Sequence, residues 1–221
     1  MKDGDGQVTF TVQKTEKQTL KITLLQIDKL KPHEKGSPLY LELLKNEILK
    51  DGVLKYPIIA DEKTKVILDG MHRWLALKSL GYKQIPVILI DASQNPKIRV
   101  GSRRIHRYIN DSKMEITTKE VISAGISGNL MKPRTTRHFF PFIKPPKIAC
   151  PLNSLEKGVP QDVSRYLAKM SIEECQKAIE DWLMEISEEL DFLRNRTLEV
   201  EKEREEFLNR IKNLKISNNF F

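Results

Sequence analysis

Asp69-Gly70-Met71-His72-Arg73 sets a carboxylate, a residue without a Cβ, an imidazole and a guanidinium within five positions. These are groups that phosphate chemistry uses. Arginine can hold a phosphate through two parallel hydrogen bonds. Glycine lets backbone approach a ligand closely. Asp69 alone would repel phosphate, so it makes sense there as the holder of a Mg²⁺ that bridges phosphate oxygens, or as a handler of protons. The plainer alternative is that Asp69 only caps a helix and Arg73 is a solvated surface charge. Two other segments carry the same kinds of group. His33 and Glu34 stand in a loop bracketed by Pro32 and Pro38, and Arg134-Thr135-Thr136-Arg137-His138 is dense in cations and hydroxyls. Glu34 and Asp69 could divide the work, one taking a proton from a hydroxyl and the other holding a metal. His106, the fourth histidine, lies in a basic stretch.

The elements around these residues decide where they point. Val66 to Leu68 is an apolar run that reads as a buried strand, broken by Asp69-Gly70. Trp74, Leu75, Leu77 and Leu80 follow at helical spacing, with Gly81 as the C′ residue. Strand, tight turn and helix place His72 and Arg73 at a helix N-terminus, where unpaired N–H groups and the helix dipole favour anions. Upstream, Ile22 to Ile27 reads as a strand. Ser37-Pro38 signals an N-cap and first helical position. The helix it opens carries Leu39, Leu43, Leu44 and Ile48 on one face and ends at Asp51-Gly52. Tyr56 to Ala60 and Val66 to Leu68 form a hairpin about the turn Asp61 to Thr64, and Ile85 to Ile90 is a further strand. The order is β-α-β-β-α-β, a small mixed α/β (α+β) domain. Val8 to Val12 alternates as a candidate edge strand in an otherwise loose N-terminus. Residues 92–113 read as irregular and strongly basic. Thr117-x-x-Glu120 is a capping box for a short helix ending near Gly125 or Gly128.

The net charge is +8, unevenly spread. Residues 1–150 hold 27 Lys+Arg against 15 Asp+Glu, and residues 151–221 hold 11 against 15. The basic part should meet anionic ligands: nucleotide, phosphate or nucleic acid. Cys150 and Cys175 make neither a disulfide framework nor a metal-ligand spacing. No apolar run reaches transmembrane length and no leader opens the chain, so a cytoplasmic protein is expected. From Ser171-x-x-Glu174, another capping box, one long helix begins. Ile179, Leu183, Ile186, Leu190, Leu193, Thr197, Val200, Arg204, Phe207, Ile211 and Leu214 step 4-3-4-3, a coiled-coil seam with polar breaks at Thr197 and Arg204. Packing of that helix on the α/β core is the alternative.

The chain has no P-loop, no Gly-x-Gly-x-x-Gly and no protein-kinase signature set. Instead Asp69-Gly70-Met71-His72-Arg73, Pro32-His33-Glu34 and the β-α-β-β-α-β order resemble the ParB/sulfiredoxin-like nucleotide-binding fold. Within it they look most like the archaeal free serine kinases, which phosphorylate L-serine to O-phospho-L-serine with ADP as donor. The resemblance covers roughly residues 20–160 and includes Arg134-Thr135-Thr136-Arg137-His138 as a second signature. It implies Glu34 as base for the serine hydroxyl, Asp69 as the acidic residue near the phosphates and Mg²⁺, Gly70, Met71, His72 and Arg73 as the phosphate-cradling turn, and Arg134, Thr135, Thr136, Arg137 and His138 as the grip on serine or phosphoserine. Met71 stands where the family usually has His, so any imidazole role there is lost. It is not the Cys that sulfiredoxin depends on.

The expected organisation is a flexible segment 1–19, a kinase core 20–160 and a coiled-coil helix 171–216. The expected function is free L-serine phosphorylation from ADP or ATP, with homodimerisation or a partner protein on the C-terminal helix. A ParB-like nucleic-acid-binding or nucleotide-switch protein, dimerised by its coiled coil, is the alternative. Nucleic acid ranks below serine and nucleotide as partner because no helix-turn-helix is evident. A protein hydroxyl in place of free serine is a third reading.

Overall fold

The computed structural model of the chain describes residues 10–12, 20–108, 116–142 and 145–217. The chain divides into two units, Met1–Cys175 and Gln176–Phe221, each described by itself.

In the first unit, β1 (Phe10–Val12) and β2 (Leu20–Gln26) precede helix α1 (Pro38–Asp51). β3 (Val53–Leu54), β4 (Ile58–Asp61) and β5 (Ile67–Asp69) follow, then α2 (Met71–Ser79) and β6 (Gln84–Ile90). The five-stranded sheet has the order β1-β2-β6-β4-β5. β6 runs parallel to β4 and antiparallel to β2, so the sheet is mixed as expected. Of the candidate edge strand, Phe10 to Val12 pairs at the sheet edge, while Val8, Thr9 and most of segment 1–19 lie outside the described residues. Pro86 pairs with Leu24 on one side and lies one residue before the β4 ladder begins at Val87. Its missing N–H therefore breaks no bond on that side.

Both faces of the sheet are covered. On one face Ile58, Ala60, Ile67, Ile85 and Val87 pack with Trp74, Leu75 and Leu77 of α2 and with Leu41 and Ile48 of α1. On the other, Ile22, Ile59 and Ile88 pack with Phe140 and Phe142. Trp74 is at the centre of the first face. Its indole N–H donates to the Ile27 carbonyl at 2.9 Å, Tyr166 meets it edge-on, and the Lys78 ammonium lies 5.3 Å from the ring.

Ser37 caps α1 by accepting from the Tyr40 amide, and Gly52 ends it with φ 65°. The expected buried face is wrong in part. Leu41 and Ile48 are buried, whereas Leu39 and Leu43 are exposed. At about 100° per residue Leu41, Leu44 and Ile48 form one stripe, and Leu39 and Leu43 fall nearly opposite. Gly81, with φ 83°, follows α2 as expected.

The segment 92–113 is not wholly irregular. β7 (Arg99–Gly101) pairs antiparallel with β8 (Arg137–Phe139), and a 3₁₀ turn covers Arg104–Arg107. Pairing across that distance leaves no local signal in either strand. Residues 109–113 lie outside the described residues. Helix α3 (Thr118–Ser127) carries the expected Thr117/Glu120 capping box, and β9 (Cys150–Pro151) pairs with β3. Both cysteines are buried and free.

Helix α4 (Ile172–Ser217) runs unbroken for 46 residues through the second unit. Glu174 accepts from the Ser171 amide and Ser171 from the Glu174 amide, the reciprocal cap expected. The side chain of Leu214, last in the seam, lies outside the described residues.

Trp74→Ala should cost about 3–5 kcal/mol by removing a fully buried ring from the core between the helices and the sheet. A urea unfolding curve with a lower midpoint and an unchanged m-value would show it.

Candidate active site

The loop after β2 is stitched to three distant segments through its backbone. Lys31 and Lys65 to Ile67 exchange bonds of 3.0 and 2.8 Å, and Met131 bonds to His33 and Lys35, both at 2.9 Å. Gly36 exchanges bonds with Tyr166 and Ala168, again at 2.9 Å. Pro32 and Pro38 keep the loop extended, so its amides face outward to these partners rather than into a helix. Glu34 is thus held on a rigid ladder.

His33 is buried, and both its nitrogens are used. Nδ1 lies 2.6 Å from the Ile67 carbonyl and Nε2 lies 2.8 Å from the Thr136 hydroxyl. A carbonyl only accepts, so Nδ1 carries the hydrogen and Nε2 of the neutral ring accepts from Thr136. Burial holds the ring neutral, with its pKa down to about 4. The Thr136 Oγ1 is also 3.3 Å from Glu34 Oε2. The hydroxyl has one hydrogen and two acceptors. When Glu34 is ionised the hydroxyl can turn to it. When Glu34 is protonated, the carboxyl donates to Thr136 and Thr136 donates to His33.

Burial pushes the Glu34 carboxyl up to about 7, against the opposing pull of the Arg137 guanidinium and the Thr136 and Thr135 amides. A carboxyl poised there can take a proton at neutral pH, as a general base must.

The turn before α2 is built as a cradle. Gly70 is the N-cap, with φ 93° and no side-chain cap. Asp69 therefore does not cap the helix. Its Oδ2 accepts from Arg73 at 2.8 Å, and Arg73 is mostly buried rather than solvated. An added Cβ at Gly70 would meet the Ile58 side chain at 2.6 Å and the Arg73 guanidinium at 2.7 Å. The guanidinium folds over Gly70 to reach Asp69. Met71 packs its side chain into the core and leaves only its amide for the turn.

His72 differs from expectation. Its Nε2 accepts the Ser37 amide at 2.8 Å and its ring packs edge-on against Tyr40. That nitrogen cannot also donate to a ligand, because its lone pair ties α2 to the cap of α1. Burial first, and then the Arg134 and Arg73 charges, bring its pKa down to about 4. The charge effect also shows that Arg134 comes to the same corner as the 69–73 turn.

The 134–138 segment closes the site. Arg134 adopts φ 59°, which turns the chain, and the Thr135 hydroxyl donates to the Lys132 carbonyl at 2.6 Å. The Thr135 side chain is therefore part of the turn. Arg137 donates to the Thr136 carbonyl at 3.1 Å. His138 stacks on Phe140 and meets His33 edge-on at 5.3 Å. Burial takes its pKa down to about 3, and its buried Nε2 has no hydrogen-bond partner. Such an atom is costly to leave unmet and marks a place where a ligand can be received. The structure thus gathers Glu34, the 69–73 turn and Arg134 to His138. The sequence had put His33 near chemistry without a role, and nothing in it singled out the Ile67 carbonyl or Tyr40.

Among the described residues no group of three or more His, Cys, Asp or Glu could hold a metal ion. Asp69 can be at most one ligand to a cation carried by phosphates, which is how Mg²⁺ is often bound.

Residues 6–103 match the ParB N-terminal domain family. An ATP-dependent L-serine kinase of Staphylothermus marinus is 36% identical over 120 residues, 51% of this chain and 48% of that protein. An ADP-dependent L-serine kinase of Thermococcus kodakarensis is 32% identical over 71 residues, 30% and 29% of the two chains. The chain thus spans about half the length of the first relative and less of the second. The structure of a free serine kinase in complex with AMP superposes with a TM-score of 0.51 at 18% identity, over 61% of this chain and 93% of that one. The fold read from the sequence is the fold shared with that structure. The resemblance to serine kinases is borne out by these relatives, whose names include both ATP and ADP dependence.

Folding raises the proton affinity of Glu34, so between its ordinary value and about 7 the folded chain binds more protons than the unfolded one. This group therefore lowers stability as pH rises through that window. His33, His72 and His138, held neutral, act in the opposite sense below about 6.5. Glu34→Gln isolates the carboxyl: it should be more stable than the parent by up to about 3 kcal/mol at pH 8 and nearly equal at pH 4. Urea unfolding at the two pH values measures this. Gly70→Ala should destabilise the chain through both φ and contact, seen as a lowered urea midpoint.

Proposed function

We propose that the chain is an L-serine kinase, transferring a phosphoryl group from ADP or ATP to the serine hydroxyl to give O-phospho-L-serine. The observation that carries this is Glu34: a carboxyl held on a rigid ladder, poised near neutrality, and set beside Thr136 and Arg137. Kinship with proteins named L-serine kinases supports it.

Glu34 accepts the serine hydroxyl proton while that oxygen attacks the terminal phosphorus and the phosphoanhydride bond breaks. The Thr136 hydroxyl turns between Glu34 and His33 as the carboxyl changes its charge. The amides at the start of α2, Gly70 to Arg73, receive phosphate oxygens, with Met71 contributing only its N–H and His72 holding the turn from behind. Arg134, Arg137, Thr136 and the unmet His138 nitrogen bind serine or its phosphate, and Thr135 shapes the loop that presents them. Asp69, positioned by Arg73, would hold Mg²⁺, which when bound would neutralise phosphate charge. In-line transfer needs little more than such positioning and charge.

No helix among the described residues is long and apolar enough to cross a membrane, and we place the protein in the cytoplasm. We assign residues 20–160 to the kinase core and the helix 171–216 to association, with a second copy or a partner protein. The match to the ParB N-terminal domain favours a second reading, a nucleotide switch or nucleic-acid binder built on the same cradle.

Purified chain incubated with L-serine, Mg²⁺ and either ADP or ATP should yield O-phosphoserine, with AMP or ADP in equal amount naming the donor. Glu34→Gln should lower kcat by about 10²–10⁴ with nucleotide binding kept. Asp69→Asn should lower activity and raise the Mg²⁺ concentration required. No product with either donor, together with DNA binding that falls steeply with salt, would favour the second reading.

A further inference from the structure

The long helix α4 presents an apolar seam to solvent. Leu183 is 56% exposed and Phe207 63%, and Ile179, Leu190 and Val200 are exposed too. With Ile186, Leu193 and Ile211 these occupy the two inward positions of successive heptads, and Thr197 and Arg204 interrupt them. A strip of this kind is covered by another helix. The charges beside the strip say which one and in which direction.

Residues 172–191 hold eight acidic and one basic side chain, a net of −7, whereas residues 192–217 hold five acidic and seven basic, a net of +2. Two copies side by side in the same direction would lay the acidic half on itself. They would also set Arg204 against the partner's Arg204 in the apolar seam. Two copies in opposite directions lay the acidic half against the basic one.

We infer that α4 pairs antiparallel with α4 of a second copy, about a two-fold axis between Leu198 and Glu199. In that register Leu190 meets the partner's Phe207, Thr197 meets the partner's Val200, Leu193 meets the aliphatic stem of the partner's Arg204, and Ile186 meets the partner's Ile211. Beside the seam, Glu189 faces the partner's Arg210, Arg194 faces the partner's Glu201, and Arg196 faces the partner's Glu203. All three are opposite-charge pairs, and each occurs twice. Sliding by one heptad one way sets Glu201 on the partner's Glu201 and Glu203 on the partner's Glu203. Sliding the other way sets Arg194 on the partner's Arg194 and Arg196 on the partner's Arg196. Single exposed ion pairs are worth little. The seam supplies the attraction, and the flanking charges select orientation and register by penalising the alternatives. Within one helix Arg196 already lies 3.0 Å from Glu199 and 3.7 Å from Glu203, so its carboxylate partners are exchanged rather than created on pairing.

The inference does not depend on the catalytic reading. Sedimentation of the full chain at tens of micromolar should give twice the monomer mass. Arg196→Glu should weaken the dimer at least tenfold, and adding Glu203→Arg should restore it. Restoration by Glu201→Arg instead would indicate parallel helices and overturn the proposal, as would a monomer, a larger assembly, or a dimer neither second change restores. A second measurement avoids charge altogether. With the native cysteines replaced by alanine, a Thr197→Cys chain mixed with a Val200→Cys chain should form a disulfide between the two under mild oxidation. Cross-linking of each chain only with itself would overturn the antiparallel arrangement.

Discussion

The candidate site depends on one buried imidazole. His33 gives its Nδ1 hydrogen to the Ile67 carbonyl and receives the Thr136 hydroxyl at Nε2, so a single ring spans the Pro-bracketed loop, the strand before the Gly70 turn and the Arg-Thr-Thr-Arg-His segment. Each of those segments carries groups of a different kind: a carboxyl, a helix N-terminus, and a set of cations and hydroxyls. Apart, they are three polar loops. The ring can serve only while neutral, because a proton on Nε2 would oppose the Thr136 donor. Burial enforces that state.

The same economy of charge runs through the corner. His33, His72 and His138 are all held uncharged, and Glu34 is kept near the point where it loses its proton. Fixed positive charge remains on Arg73, Arg134 and Arg137. Of these Arg73 is bound to Asp69, which both orients it and tempers its field. An anionic ligand would therefore meet a corner whose cations are set in advance and whose imidazoles need not change state to admit it. Preorganised charge of this sort needs no rearrangement at the moment of reaction.

Much of this was legible in the residues. Asp69-Gly70 had to break the strand, Ser37-Pro38 had to start a helix, and the Thr117/Glu120 and Ser171/Glu174 boxes had to cap theirs, because each of these signals acts within four residues. The three site segments were visible as clusters of chemistry-bearing side chains. What could not be read was how they meet. His72 has the residue type of a phosphate donor, yet its lone pair is spent on the Ser37 amide, a contact 35 residues away. The burial of Leu41 rather than Leu39 and Leu43 depends on how α1 is rolled against α2, and both faces of that helix carry leucine. β7 and β8 pair across nearly 40 residues of sequence, and three-residue strands carry no period to detect.

The separations within the site bear on the order in which the protein can become competent. All five strands of the main sheet lie at or before Ile90, whereas the bonds from Thr136 to His33 and Glu34 span 103 and 102 residues. A nascent chain leaving the ribosome N-terminus first can pair that sheet with the Gly70 turn in place, yet the Glu34 loop then lacks its bonds to Met131, Tyr166 and Ala168, and its carboxyl has neither the Thr136 hydroxyl nor the Thr135 amide beside it. Translation therefore separates pairing of the main sheet from completion of the Glu34–Thr136 contact by the time needed to synthesise about forty-six further residues, and a fragment ending before the Thr-Thr pair would hold the sheet without that contact.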